Sequence, residues 1–98
     1  MITIRSTTIA PDPGDSSNAE AIALQALAFV AQDARLLQRF LDLSGYTPDS
    51  LRAGVGSPEL SVAVLDFLLG HEPDLLAFCA DAGLPPDAPG AARRALAD

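Results

Sequence analysis

The side chains of this sequence that could take part in chemistry are few and well separated. His71 is the only histidine and Cys79 the only cysteine among the 98 residues. A histidine can act as a general base when a carboxylate orients its ring, and Glu72 or Asp33 could supply that carboxylate. No nucleophile lies near His71 in the sequence, and a cation at the end of a helix also has a structural role. We therefore predict no catalytic residue and keep His71 as a candidate for binding.

Cys79 falls on the apolar face of a predicted helix, beside Leu75 and Phe78. Reactive thiols lie in exposed, electropositive surroundings, so this position predicts a buried core residue. A single cysteine excludes an internal disulfide and a cysteine-rich metal site, and a single histidine excludes a multi-histidine site. The motifs of nucleotide-binding loops and zinc proteases are absent. We predict neither a metal nor a cofactor.

Asp66 and three arginines are the other candidates for a ligand or partner surface. Asp66 lies in the most apolar stretch of the chain, but the helical period places it on the polar side, where Arg52 is a possible partner. Arg35 and Arg39 lie one helical turn apart and could bind an anionic ligand or an acidic partner. Local pairing with Asp42 on a solvated face is the alternative, and the sequence leaves both open.

The composition limits the class of protein. Thirteen acidic residues face six basic ones, all arginine, which gives a net charge of −7. A nucleic-acid binder needs a basic face to meet phosphates, so that class is excluded. The chain is 49% hydrophobic, which is typical of a folded domain, and no apolar run reaches the ~18 residues of a membrane span. We expect one small, acidic, soluble domain that does not enter a membrane.

Capping residues and glycines divide the chain into helices. Ser17 with Glu20, then Asp33, are typical of helix starts, and Gly45 and Gly83 are typical of helix ends. We predict helices over about residues 18–31, 34–44, 58–69, 72–82 and 88–97, and a short third helix from Pro48 to a break at residues 54–56. The first and fourth helices are expected at the centre of the bundle. Residues 1–17 lack periodicity, so we predict a flexible tail there, followed by a single helical domain over residues 18–98. An extended arm over residues 2–9 is the alternative and remains open.

The two halves of the helical region match without gaps at an offset of 38 residues. Each half predicts a mostly apolar helix, a short link, an amphipathic helix, a glycine stop and a third helix that begins near a proline. A unit of this size cannot bury its apolar faces alone, whereas two units stacked together can. We therefore predict an all-α bundle of five to six short helices built from two related halves. The matching pairs are Leu27 and Leu65, Phe29 and Phe67, Leu37 and Leu75, Phe40 and Phe78, Gly45 and Gly83, Pro48 and Pro86, and Asp49 and Asp87.

Two segments of the sequence carry a resemblance to a known family. They are residues 21–45, AIALQALAFVAQDARLLQRFLDLSG, followed by Pro48, Leu51 and Arg52, and residues 64–69, VLDFLL, followed by Glu72, the run LLAF and the stop AGLP. The pattern resembles a bacterial family catalogued as domain of unknown function 3572, over about residues 20–96. The resemblance implies a small helical protein of the bacterial cytoplasm. It implies no activity, cofactor or site.

Two functions from different classes remain open. The first is a non-catalytic interaction or regulatory domain with a protein partner, present as a monomer or a weak homodimer. The alternative is a small-ligand binder or minor enzyme with a pocket near Asp66, His71 and the arginines Arg35, Arg39 and Arg52. Convergence of Asp66, His71 and an arginine in one concave pocket would favour the alternative. A flat apolar patch as the largest surface feature would favour the interaction domain. The partner and the biological process do not follow from the sequence.

Overall fold

The computed structural model describes residues 16–97, and this part of the chain forms six α-helices without strands. The fold is the predicted all-α bundle. The second to sixth helices have the predicted bounds, while the first begins two residues earlier than predicted, so that Ser17 lies within it. Residues 1–15, which make up most of the predicted tail, lie outside the described residues. The helices are α1 (Ser16–Ala31), α2 (Ala34–Ser44), α3 (Pro48–Gly54), α4 (Pro58–Leu69), α5 (Glu72–Ala82) and α6 (Ala88–Ala97).

Local side-chain chemistry explains where these helices begin and end. The Asp33 carboxylate accepts hydrogen bonds from the first backbone N–H groups of α2, those of Arg35 at 2.9 Å and Leu36 at 3.2 Å. Ser57 accepts in the same way at the start of α4. α2 and α5 both end at a glycine with a left-handed backbone, Gly45 at φ 82° and Gly83 at φ 71°. These are the predicted stops, and a side chain would be strained in that conformation.

α1 and α4 lie at the centre of the bundle, as predicted. α4 contacts each of the other five described helices, and α1 contacts α2, α4, α5 and α6. The buried residues of these two helices pack together and against α6, which contacts both. None of the helices in residues 16–97 is both long enough and apolar enough to cross a bilayer. The buried residues of the two central helices include Ala19, Ile22, Ala23, Ala26, Val30, Leu60, Val64, Leu65 and Leu68.

The two predicted halves, α1–α3 and α4–α6, are present in the structure. We call two residues counterparts when they lie 38 positions apart. α2 and α5 begin and end at counterparts, and α1 and α4 end at counterparts. Burial repeats as well, because the counterparts at these positions are buried in both halves. The buried pairs are Ile22 and Leu60, Ala23 and Ser61, Ala26 and Val64, Val30 and Leu68, and Phe40 and Phe78.

Two aromatic contacts show how the halves are joined. Phe29 of α1 packs on Phe78 of α5, with ring centroids 5.6 Å apart. Phe67 of α4 packs on Phe40 of α2, with ring centroids 5.3 Å apart and an edge-to-face geometry. Phe29 and Phe67 are counterparts, as are Phe78 and Phe40, so exchanging the halves maps one contact onto the other. The pairs α1–α2 and α4–α5 are therefore arranged as an approximate internal two-fold would place them, whereas α6 packs on both α1 and α4 and α3 packs on α4.

Candidate functional site

A groove between α2 and α4 is the main concave feature of the described surface. It has a volume of about 560 Å³, within the ~300–1,000 Å³ that is typical of small-molecule sites. The groove is open to solvent along its length, and we call it the α2–α4 groove. Its lining comprises Arg39, Phe40, Leu43 and Ser44 of α2, Ala63, Asp66 and Phe67 of α4, and Gly70 and His71 between α4 and α5.

The floor and one edge of the α2–α4 groove are apolar. The edge-to-face pair of Phe40 and Phe67 forms its base, and Ala63 leaves space above it because its side chain is a single methyl group. Leu43 stands at the edge with 73% of its surface exposed. Full burial of a leucine side chain is favourable by about 1.5–3 kcal/mol. A ligand or partner that covers Leu43 would therefore gain part of this free energy.

One end of the groove is polar and is organised by Asp74 in the first turn of α5. Its Oδ2 atom accepts a hydrogen bond from Nη2 of Arg39 and lies 2.7 Å from Nδ1 of His71. The Asp74 side chain is only 20% exposed, whereas those of Arg39 and His71 are 43% and 50% exposed. The two side chains thus converge on a single carboxylate oxygen. We call Arg39, His71 and Asp74 the Asp74 cluster.

Arg39 is held on a second side by an aromatic ring. Its guanidinium carbon lies 5.5 Å from the centroid of the Phe67 ring, within the range of a cation–π contact. The residue therefore has its position fixed between the carboxylate of Asp74 and the floor of the groove. This arrangement places a positive charge where the apolar floor meets the polar end.

Asp66 forms its ion pair with Arg93 of α6. The Nε atom of Arg93 donates to Oδ1 of Asp66 at 2.6 Å, and this hydrogen bond raises the pKa of Arg93 above its usual value. The predicted pairing of Asp66 with Arg52 is wrong. Arg52 instead donates to Asp49 in the same short helix, where the i,i+3 spacing brings the two side chains together. Arg93 reaches Asp66 because α6 packs along α4.

The groove brings together three of the five predicted site residues, Arg39, Asp66 and His71. Arg35 lies outside it and lines a smaller recess on the far side of the Arg39 and Asp74 pair, and Arg52 lies on α3. Two predicted partners are also wrong. Arg39 pairs with Asp74 rather than with Asp42, which accepts from Gln38, and His71 is oriented by Asp74 rather than by Glu72 or Asp33. The i,i+3 spacing of His71 and Asp74 was the sequence signal for this contact.

A second, smaller recess lies at the equivalent place between α1 and α5. It has a volume of about 300 Å³. Each of its seven lining residues is the counterpart of a residue that lines the α2–α4 groove, as the internal two-fold requires. We call it the α1–α5 recess. Its lining is Gln25, Ala28, Phe29, Gln32, Phe78, Asp81 and Ala82.

The two concave sites differ in chemistry although their aromatic floors are the same. Where the α2–α4 groove has Leu43, Ala63 and Gly70, the α1–α5 recess has Asp81, Gln25 and Gln32. At two other positions the exchange is reversed, since Asp66 and Ser44 line the groove where Ala28 and Ala82 line the recess. The apolar character of the groove is therefore a property of these particular side chains and is not imposed by the backbone.

Cys79 takes no part in either site. It is 3% exposed in the core, which confirms the prediction of a buried residue. Burial, with a smaller contribution from the nearby Asp87 carboxylate, raises the pKa of the thiol and keeps it protonated at neutral pH. Elsewhere in residues 16–97, no group of three or more histidine, cysteine, aspartate or glutamate side chains is placed to hold a metal ion.

Comparison with known proteins gives one match, to a family model described as "Protein of unknown function (DUF3572)", over residues 16–98. Neither the curated proteins nor the solved structures contain a significant match to the chain. The matched region includes all six helices and both concave sites. The predicted resemblance is thus confirmed over most of the sequence, and the chain belongs to the DUF3572 family.

Proposed function

We propose that this protein is a non-catalytic binding module that takes up the apolar part of a small ligand in the α2–α4 groove. The observation that carries the proposal is the contrast between the groove and the α1–α5 recess. The recess shows that this fold accommodates Asp81 at the edge and glutamines at the walls. Folding therefore does not require the exposed Leu43 of the groove, and a function that needs an apolar surface accounts for it.

The polar contacts at the groove support binding rather than catalysis. Asp66 is paired with Arg93, and Asp74 is in contact with both Arg39 and His71. A nucleophilic serine would need a hydrogen bond to the free nitrogen of the histidine. The hydroxyl of Ser44, which also lines the groove, accepts instead from the backbone N–H of Tyr46 at 3.2 Å and makes no hydrogen bond to His71.

An interaction or regulatory domain with a protein partner is the second candidate. It is favoured by the position of Leu43, which is exposed at the edge of an open groove rather than inside a closed cavity. An amphipathic helix of a partner could lay its apolar face along such an edge. In that case the same groove would serve a macromolecule, and small apolar molecules would bind only weakly.

Titration of the full chain with 1-octanol, followed by calorimetry, tests the proposed function. We expect saturable binding to the parent, and loss of that binding in Leu43→Asp and Ala63→Gln, which introduce the counterpart residues of the recess. The matched controls Asp81→Leu and Gln25→Ala make the reverse exchanges in the recess and should leave octanol binding to the groove intact. Equal binding by parent and groove variants would contradict the proposal.

Capture of partners from the native host with the same four variants separates the two candidates. A protein that co-purifies with the parent and both controls, and is lost with both groove variants, would support the interaction domain. A small molecule that follows this pattern, detected by native mass spectrometry of the purified chain, would support the ligand binder.

A further inference from the structure

We propose that the ligand of the α2–α4 groove is a free small carboxylate with an apolar tail, and that Arg39 and His71 bind its carboxylate. This inference rests on the proposed function and specifies the chemistry of the ligand. It follows from the distribution of charge around the groove, which is apolar along the floor and cationic at the end formed by the Asp74 cluster.

Arg39 has donors to spare for a second carboxylate. A guanidinium carries five N–H donors, and the structure shows Asp74 bonded to Nη2. The 43% exposure of the side chain leaves the rest of the guanidinium accessible from the groove that it lines. Charge-assisted bonds from an arginine to a carboxylate are among the strongest hydrogen bonds in proteins.

His71 offers a second donor at the same end. Nδ1 faces Asp74, and the ring lines the groove with half of its side chain exposed. Nε2 is therefore placed to contact a ligand there. Because one oxygen atom of Asp74 holds both Arg39 and His71, their side chains are positioned before a ligand arrives, which lowers the entropic cost of binding.

The charges that line the groove leave no unpaired carboxylate to repel an anion. Asp74 is paired with Arg39, and Asp66 is paired with Arg93. The net charge of −7 repels anions at long range. That repulsion is screened beyond ~10 Å at 0.1 M salt, whereas a contact with Arg39 inside the groove is not.

The α1–α5 recess again provides an internal comparison. The counterparts of Arg39, His71 and Asp74 are Ala77, Asp33 and Leu36. Leu36 is buried and Asp33 caps α2, so two of these three counterparts have structural roles only. The Asp74 cluster is therefore specific to the side of the molecule that carries the apolar groove. Apolar floor and cationic end occur together, as the recognition of an amphiphilic anion requires.

Calorimetry of the full chain with three matched probes tests this inference. The probes are octanoate, 1-octanol and octylamine, each kept below the concentration at which it forms micelles. We expect octanoate to bind about tenfold more tightly than octanol, the effect of about 1.4 kcal/mol from a charge-assisted contact. Octylamine should bind no more tightly than octanol, because Arg39 repels it.

Substitution of Arg39 decides whether the carboxylate contact is the one proposed. Arg39→Gln should abolish the tenfold preference for octanoate over octanol, and His71→Gln should reduce that preference. Arg35→Gln, one helical turn away and outside the groove, is the matched control and should keep the tenfold preference. Circular dichroism of each variant checks that it retains the fold.

Three results would overturn the inference. They are equal binding of octanoate and octanol by the parent, a preference for octanoate that persists in Arg39→Gln, and much tighter binding of a leucine-ended peptide with a free C-terminus than of octanoate. Octanol binding that depends on Leu43 and Ala63 would then still support the proposed function. Failure of all probes to bind would contradict both.

Discussion

In the first half of the chain, Phe40 packs against Phe67 below an exposed Leu43, whereas in the second half Phe78 packs against Phe29 below Asp81. The aromatic floors of the two halves match in position and residue type. The surfaces above them have opposite character, one apolar with a cationic end and the other polar.

The difference shows which residues packing constrains and which it leaves free. A buried aromatic residue cannot be lost without leaving a cavity, so Phe40 and Phe78 keep the same type in both halves. A residue at the edge of a groove is under no such constraint, as the pair of Leu43 and Asp81 shows. Packing therefore does not account for the apolar side chain of Leu43 at the edge of the groove.

The helix caps show the same division. Asp33 caps α2 through its carboxylate, while its counterpart His71 makes no side-chain hydrogen bond to the start of α5. The imidazole bonds instead to Asp74, beside the groove. One half uses this position for the stability of its helix, and the other uses it to build the polar end of a site.

The largest expected effect concerns Cys79, the counterpart of Leu41 in the other amphipathic helix. Its thiol is buried and its pKa is raised by that burial, so a neutral thiol must wait for the domain to open. In a domain of at least ~5 kcal/mol stability, alkylation of the folded chain should be about a thousandfold slower than alkylation of the unfolded chain. Mass spectrometry over time measures both rates, and rapid labelling of the folded chain would contradict the core position.

Phe40→Ala and Phe78→Ala test whether the two aromatic contacts are equivalent. Each should lower the free energy of unfolding by about 3–5 kcal/mol, because the ring is lost from a core position and a cavity remains. Equilibrium denaturation with urea, monitored by circular dichroism, measures the change. A small loss of stability for one variant and a large loss for the other would show that the two aromatic contacts are not equivalent in energy.

The two glycine stops should respond alike to a side chain. Gly45→Val and Gly83→Val are expected to lower the free energy of unfolding by about 1–3 kcal/mol, because both positions have a positive φ that a β-branched residue resists. An added Cβ meets no atom within 4 Å at either position, so backbone strain alone is responsible. Gly54→Ala, where the new Cβ makes ordinary contacts with Leu60 and Ser57, is the milder control. Parent-like stability of both valine variants would show that these stops do not depend on glycine.

The caps should respond differently in the two halves. Asp33→Ala should lower the free energy of unfolding by about 1 kcal/mol, the usual loss for a removed cap, because two backbone N–H groups of α2 lose their acceptor. His71→Ala should lower it by less, since no cap bond is lost and an exposed pair contributes about 0–1 kcal/mol. Denaturation curves of the two variants give the comparison, and a larger effect for His71 would reverse our assignment of roles.

The smallest expected effect on stability is that of Leu43→Asp. The side chain is mostly exposed, so the free energy of unfolding should change by no more than about 0.5 kcal/mol. Binding of apolar probes to the groove should nevertheless be lost, which separates function from folding at one residue. A loss of several kcal/mol in the thermal or urea transition would show that Leu43 belongs to the core instead.

The sequence by itself determined the helices and their repetition. Helix starts and ends depend on contacts within four residues, such as the Asp33 cap and the left-handed Gly45 and Gly83, and such contacts can be recognised along the chain. The apolar period fixed which helices are central, because α1 and α4 are apolar around most of their circumference. The offset of 38 residues then required two halves that complete each other's core.

Only the tertiary structure decided which of these residues meet at the α2–α4 groove. The pairs Arg39 with Asp74 and Asp66 with Arg93 join residues 35 and 27 positions apart on different helices. The helical period assigns a residue to a side of its own helix, but the distance to another helix depends on how the two pack. For the same reason only packing decided that Leu43 lies at the open edge of the groove.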